Sequence, residues 1–123
     1  MTKSDETSRP ALRILVVEDE VLIALMLEDY LSELGHQVIG PAMRLRPGLV
    51  IAEGEELDLA ILDVNLAGET SMPIAAALMR RRIPFMFATA YGRQGLTDEF
   101  KERVVLQKPF TLQELSEAID EAA

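Results

Sequence analysis

Four short runs in this chain, Ile14–Val17, Leu59–Leu62, Phe85–Ala88 and Val104–Leu106, are apolar from end to end with no polar residue alternating. A strand with one face in water alternates, whereas a strand covered on both faces does not. Uninterrupted runs of this length therefore read as the strands of a parallel sheet lying between two layers of helices. A weaker run, Gln37–Ile39, follows Gly35-His36 and makes a fifth strand.

Helical patterns fill the gaps. Ile23, Met26, Leu27, Tyr30, Leu31 and Leu34 recur at helical spacing, and Gly35 stands where a C-terminal cap belongs. A second, poorly patterned helix is expected at about 45–53. A third starts with Ser71 as N-cap and Pro73 just inside, and runs through Leu78 and Met79 to Arg80-Arg81-Arg82. The last opens on Thr111-Leu112-Gln113-Glu114, a capping box. Between strands four and five, Gly92-Arg93-Gln94-Gly95 leaves only Leu96 and Phe100 to form an apolar face, so a helix there is short or unstable. Strand and helix alternate five times, as in a doubly wound α/β sandwich whose ligand site lies beyond the carboxyl ends of the strands.

The residues at those ends share one chemistry. Strand one runs into Glu18-Asp19, strand three into Asp63, strand four into Thr89 and strand five into Lys108. Three carboxylates meeting at one edge repel by about 4 kcal/mol per close pair at an effective dielectric of about 20. A divalent cation removes that penalty, and an oxygen-only donor set without His or Cys suits Mg²⁺. A metal, a lysine and a hydroxyl around one exposed carboxylate form a phosphoryl-transfer site with the carboxylate as nucleophile. Each residue alone has a plainer use, since Glu18-Asp19-Glu20 can cap the following helix and a lone lysine is usually solvated. Their convergence on one sheet edge favours the site.

Composition narrows the classes. The 123 residues suffice for one domain, and the 49% apolar content for one core. A formal charge of −9 repels nucleic acid at long range. The arginine cluster at 80–82 serves a helix C-terminus. With no cysteine, no apolar run of about 18 residues and a polar start, MTKSDETSRP, the chain reads as a cytoplasmic protein outside the membrane. His36, the single histidine, is assigned to the surface rather than to phosphate donation.

The segments ILVVEDE, LAILDVN, FATAYG and LQKPF resemble the signature blocks of response-regulator receiver domains, and the likeness covers about residues 12–122. The Phe87-Ala88-Thr89 block is similar to the FAT-type single-domain receivers of bacterial two-component systems. The resemblance implies a flavodoxin-like five-stranded parallel sheet of order 2-1-3-4-5, with helices on both faces, over 12–123 behind a flexible tail at 1–11. It implies that Asp63 is the phosphoacceptor, that Asp19 binds Mg²⁺ directly and Glu18 through water, and that Asn65 binds it through its backbone carbonyl. Thr89 is then the switch hydroxyl, Lys108 pairs with the phosphoryl group, and Lys108–Pro109 is cis; Ala90 and Tyr91, which follow Thr89 into the glycine-rich stretch, are expected to move with it as part of the switch. Three positions depart from the pattern: Val105 replaces a rotating aromatic, Ala67 a proline, and Ala90 a glycine.

The expected function is a stand-alone receiver domain, not an enzyme beyond Mg²⁺-dependent self-phosphorylation and autodephosphorylation. It takes its phosphoryl group from a histidine kinase or histidine phosphotransfer protein. It then acts on an unknown downstream protein or as a relay or phosphate sink, as a monomer, with a dimer also open. The alternative is a Mg²⁺-dependent phosphohydrolase with Asp63 as nucleophile, which lacks a general acid because Asn65 stands two residues on. Val21, Leu22 and Leu25 lie off the core stripe of the first helix, near Asp19, and are expected to dock the kinase. The stretch 91–101 is expected to be the most mobile.

Overall fold

The structure, a computed structural model, describes residues 10–123, so most of the tail expected at 1–11 lies outside the described residues. In chain order the elements are β1 (Arg13–Val17), α1 (Val21–Glu33), β2 (Gln37–Ala42), α2 (Leu45–Gly54), β3 (Leu59–Leu62), β4 (Asn65–Leu66), β5 (Glu69–Thr70), α3 (Met72–Arg80), β6 (Phe85–Thr89), β7 (Val105–Gln107) and α4 (Leu112–Ala122). Five strands pair in parallel in the order β2-β1-β3-β6-β7, which is 2-1-3-4-5 when the main strands are counted alone.

Three of the unalternating runs are buried throughout, as their pattern required, whereas in Val104–Leu106, at the sheet edge, only Leu106 is fully buried. Leu15, Val17, Leu62, Phe85 and Phe87 face a core closed by Ala52 of α2 and by Ile74, Ala75 and Leu78 of α3. Ile14, Val16, Ile61, Met86 and Leu106 face the opposite core, closed by Leu27 and Leu31 of α1 and by Leu115, Ala118 and Ile119 of α4.

The caps follow the sequence, with one exception. Gly35 has φ 90°, its N–H donates to Ser32 O at 3.0 Å, and His36 N–H donates to Leu31 O at 2.9 Å; together these end α1 in a Schellman motif. Thr111 and Glu114 form both bonds of the capping box. Ser71 occupies the N-cap of α3, but its hydroxyl makes no capping bond and is buried without a hydrogen-bond partner. Arg81, expected to serve α3, reaches across to α2, where its Nη1 donates to Ala52 O at 2.7 Å. His36 is half-buried rather than freely exposed, and its Nδ1 accepts the Leu12 N–H at 3.0 Å just before β1.

Two elements differ from the expected alternation. Asn65–Leu66 and Glu69–Thr70 pair as a small antiparallel hairpin. Between β6 and β7 there is no α-helix, only a turn of 3-10 helix at Asp98–Phe100. Phe100 is fully buried edge-on against Phe85, and Leu96 is buried beside it. No helix among the described residues is long and apolar enough to cross a membrane.

Candidate functional site

Strand register assembles the site. Val17 pairs with Leu62 and Leu62 with Phe87, so Glu18 and Asp63, the next residues along, leave adjacent strands side by side. Thr89 pairs with Gln107, and the Lys108 N–H donates to Thr89 O at 2.9 Å, which brings the lysine to the same edge. Lys108–Pro109 is cis.

At the centre lies the Lys108 ammonium, 2.7 Å from Glu18 Oε1, 3.2 Å from Asp63 Oδ2 and 3.6 Å from Glu20 Oε1. Glu18 is buried and its Oε2 accepts the Glu20 N–H at 3.1 Å; Oε1 meets Lys108 as an ion pair without an aligned hydrogen bond. Asp63 Oδ1 accepts the N–H of Val64 at 2.8 Å, and the Asp63 N–H donates to Val17 O at 2.9 Å. Asp19 is half-buried and its Oδ2 accepts the Ala67 N–H at 2.9 Å, tying strand one to the β4–β5 turn. Asn65 Oδ1 accepts the Gly68 N–H at 3.1 Å within that turn. The Thr89 hydroxyl is buried and accepts the Tyr91 N–H at 3.2 Å, while Tyr91 itself is 71% exposed. These groups border an open cleft of about 570 Å³ lined by Asp19, Glu20, Asp63, Thr89, Tyr91 and Lys108.

The electrostatics follow from burial. Burial pushes the Glu18 carboxyl up to about 7; the Asp63 charge adds to the rise, and Lys108 opposes it. Burial alone would lower the Lys108 ammonium, but its pairing with Glu18 and Asp63 outweighs this and raises it. One lysine thus offsets only part of the charge of a cluster in which carboxylate oxygens of Glu18, Glu20 and Asp63 lie within 4.8 Å of one another. A set of hard oxygens that keeps one carboxyl partly protonated fits a small divalent cation.

Glu18, Asp19, Asp63, Thr89 and Lys108 therefore gather at one sheet edge. Glu20 is the acid that sequence reasoning treated only as a helix cap. It caps nothing with its side chain and faces Lys108 instead, whereas Asp19 turns to Ala67. Its position next to Glu18-Asp19 was the available signal, but three successive acids do not reveal which of them share a direction. Val21, Leu22 and Leu25 are 58%, 79% and 51% exposed, off the buried stripe as their spacing required.

Comparison with known proteins agrees with this geometry. The model of the response regulator receiver domain family matches residues 14–120. The chain is 37% identical to the phyllosphere-induced regulator PhyR of Methylorubrum extorquens, over 91% of this chain and 43% of that protein. It is 31% identical to the transcriptional regulatory protein PdtaR of Mycobacterium tuberculosis, over 88% of this chain and 55% of that protein. The chain spans about half the length of these two relatives. The solution structure of SdrG from Sphingomonas melonis Fr1 superposes with a TM-score of 0.81 at 45% identity, covering 89% of this chain and 94% of that one. With the fold, the sheet-edge acids and these likenesses in agreement, the chain belongs to the response regulator receiver domains, signalling modules rather than enzymes in the ordinary sense.

Proposed function

We propose that Asp63 accepts a phosphoryl group from the phosphohistidine of a histidine kinase or histidine phosphotransfer protein, and that the modified domain signals through contacts with another protein in the cytoplasm. The observation that carries this reading is the convergence of the Lys108 ammonium on Asp63 Oδ2 at 3.2 Å and Glu18 Oε1 at 2.7 Å beside the cleft. In the transfer, a carboxylate oxygen of Asp63 bonds to phosphorus as the P–N bond to imidazole breaks. The nitrogen keeps the bonding pair and takes up a proton, leaving an acyl phosphate on Asp63. In this reading Lys108 pairs with the transferred oxygens, and the Thr89 hydroxyl, which now accepts the Tyr91 N–H, turns to one of them. Mg²⁺ would be held by Glu18, Asp19 and Asp63 with the Asn65 carbonyl, and Glu20 lies close enough to add a carboxylate. Bound there, it would supply charge neutralisation for the phosphoryl oxygens. The same site would accept phosphate from small donors and lose it slowly by hydrolysis.

The exposed Val21, Leu22 and Leu25 at the start of α1, beside Asp19, form the surface we assign to the kinase, because a donor histidine must approach Asp63 over that rim. A phosphohydrolase is disfavoured because the group two residues after Asp63 is the Asn65 carboxamide, already engaged with Gly68. The test is incubation with candidate histidine kinases, labelled ATP and Mg²⁺. Wild type should carry a label that alkali and hydroxylamine release, as they do from an acyl phosphate, and that Asp63→Asn lacks. Equal labelling of Asp63→Asn would overturn the assignment.

A further inference from the structure

One peptide unit beside the cleft is gripped from both edges by side chains. The plane joining Ala90 to Tyr91 offers its N–H to Thr89 Oγ1 at 3.2 Å, and its carbonyl, Ala90 O, accepts from Gln107 Nε2 at 2.8 Å. Gln107 is fixed by strand register, opposite Thr89 and immediately before Lys108. Its amide lies along the segment, so that a Cβ on Gly92 would stand 3.4 Å from its Oε1. Between this point and β7 the chain forms no α-helix that could hold the segment. Val105, on the same strand, packs into the core and carries no ring that could report on the cleft.

We propose that Gln107 is a positioning residue that holds the Ala90–Tyr91 peptide in its resting orientation and so sets how readily the segment answers the state of Thr89. The proposal rests on the reading of Asp63 as phosphoacceptor and Thr89 as the group that senses it. When the Thr89 hydroxyl turns toward a phosphoryl oxygen, the peptide loses the partner of its N–H. Gln107 is then the remaining side-chain hold on that plane among the described residues. Losing the Gln107 donor favours the released orientation before any phosphate is present, and a protein that already samples that orientation accepts phosphate at least as fast.

The experiment uses the whole chain with two variants at this exposed position. Gln107→Met keeps length without a donor, and Gln107→Glu keeps shape without a donor. Amide exchange is read with and without phosphorylation by a small acyl phosphate and Mg²⁺. In the unphosphorylated state both variants should exchange about fivefold faster at Tyr91–Leu96, equivalent to about 1 kcal/mol, the net worth of one hydrogen bond. Amides of β1 and β3 should be unchanged. Phosphorylation should add less further exchange in Gln107→Met than in wild type, because both act on one equilibrium. Labelling from the small donor should be no slower than in wild type.

Unchanged exchange in Gln107→Met, an effect confined to Gln107→Glu, acceleration spread through the sheet, slower labelling, or an equal phosphorylation-induced increase in both proteins would each overturn the proposal. Absence of label on wild-type Asp63 would instead strike the functional reading, and the resting-state comparison would still decide whether Gln107 holds the segment.

Discussion

Ala67 has φ 53° and its neighbour Gly68 φ 92°, so both residues of the β4–β5 turn are left-handed. That is the geometry of a two-residue primed hairpin turn, which glycine and asparagine favour and alanine resists. It also explains why this chain can lack proline at 67, since proline is locked near φ −65° and cannot enter this turn. The Ala67 N–H donates to Asp19 Oδ2 at 2.9 Å, which ties the turn to the acidic cluster. A left-handed conformation costs an L-residue about 1–2 kcal/mol, partly offset in a glycine variant by the greater freedom of its unfolded chain. Ala67→Gly should therefore raise the free energy of unfolding by about 0.5–1 kcal/mol in urea titration. A loss of stability would show that the alanine side chain makes a contact that outweighs the strain. The departure at Ala67 was legible in the sequence, but its turn type was not, because nothing local distinguishes it from the common proline turn.

At the scale of elements, the connection between β6 and β7 has exchanged a helix for a few anchors. Phe100 is buried edge-on against Phe85 with ring centroids 5.7 Å apart, and Arg103 stacks over Phe85 at 4.0 Å. Arg93 Nη1 donates to the carbonyls of Lys101 at 2.6 Å and Arg103 at 2.9 Å, closing the loop on itself. Glycines and a sparse apolar face announced the missing helix; that Phe100 would carry the packing depended on where Phe85 and Phe87 present their rings. Truncating a buried aromatic costs about 3–5 kcal/mol. Phe100→Ala should lose about 3 kcal/mol of stability, with amide exchange rising first across 91–101. Uniform acceleration throughout the sheet would argue that the stretch is no weaker than its neighbours. Helix α1 supports a second expectation. Leu22→Ala combined with Leu25→Ala should slow transfer from the cognate kinase at least tenfold, about 1.4 kcal/mol, while a small donor reacts at the wild-type rate. A parallel fall in both rates would mean that the leucines serve the fold.

For the whole molecule, the site is a concentration of charge that the fold must tolerate when no metal is bound. Glu18 binds its proton more tightly in the folded chain, near pH 7, than in the unfolded chain, near 4.5. The stabilising contribution of its protonated form is therefore complete below about pH 4.5 and is lost as pH rises through about 7. Without divalent cations, wild type should lose stability relative to Glu18→Gln across that window. Mg²⁺ at higher pH should restore wild type more than the variant. Denaturant titrations of both proteins over this pH range check the sign, and a gap that moved the other way would mean that Glu18 is held ionised by Lys108.

Local pattern was enough for the layered sheet, the strand order once the resemblance was granted, the Schellman end of α1, the capping box of α4 and the polar residues that close each strand. These features repeat at short range, where backbone geometry and burial act on neighbours in the chain. Tertiary structure decided which acid shares the cleft with Lys108, where Arg81 and His36 find their acceptor and donor, and what pins the segment after β6. Glu20 and Lys108, Arg81 and Ala52, and Phe100 and Phe85 are each brought together by strand register and helix packing, so their direction relative to one another is set only when the elements dock.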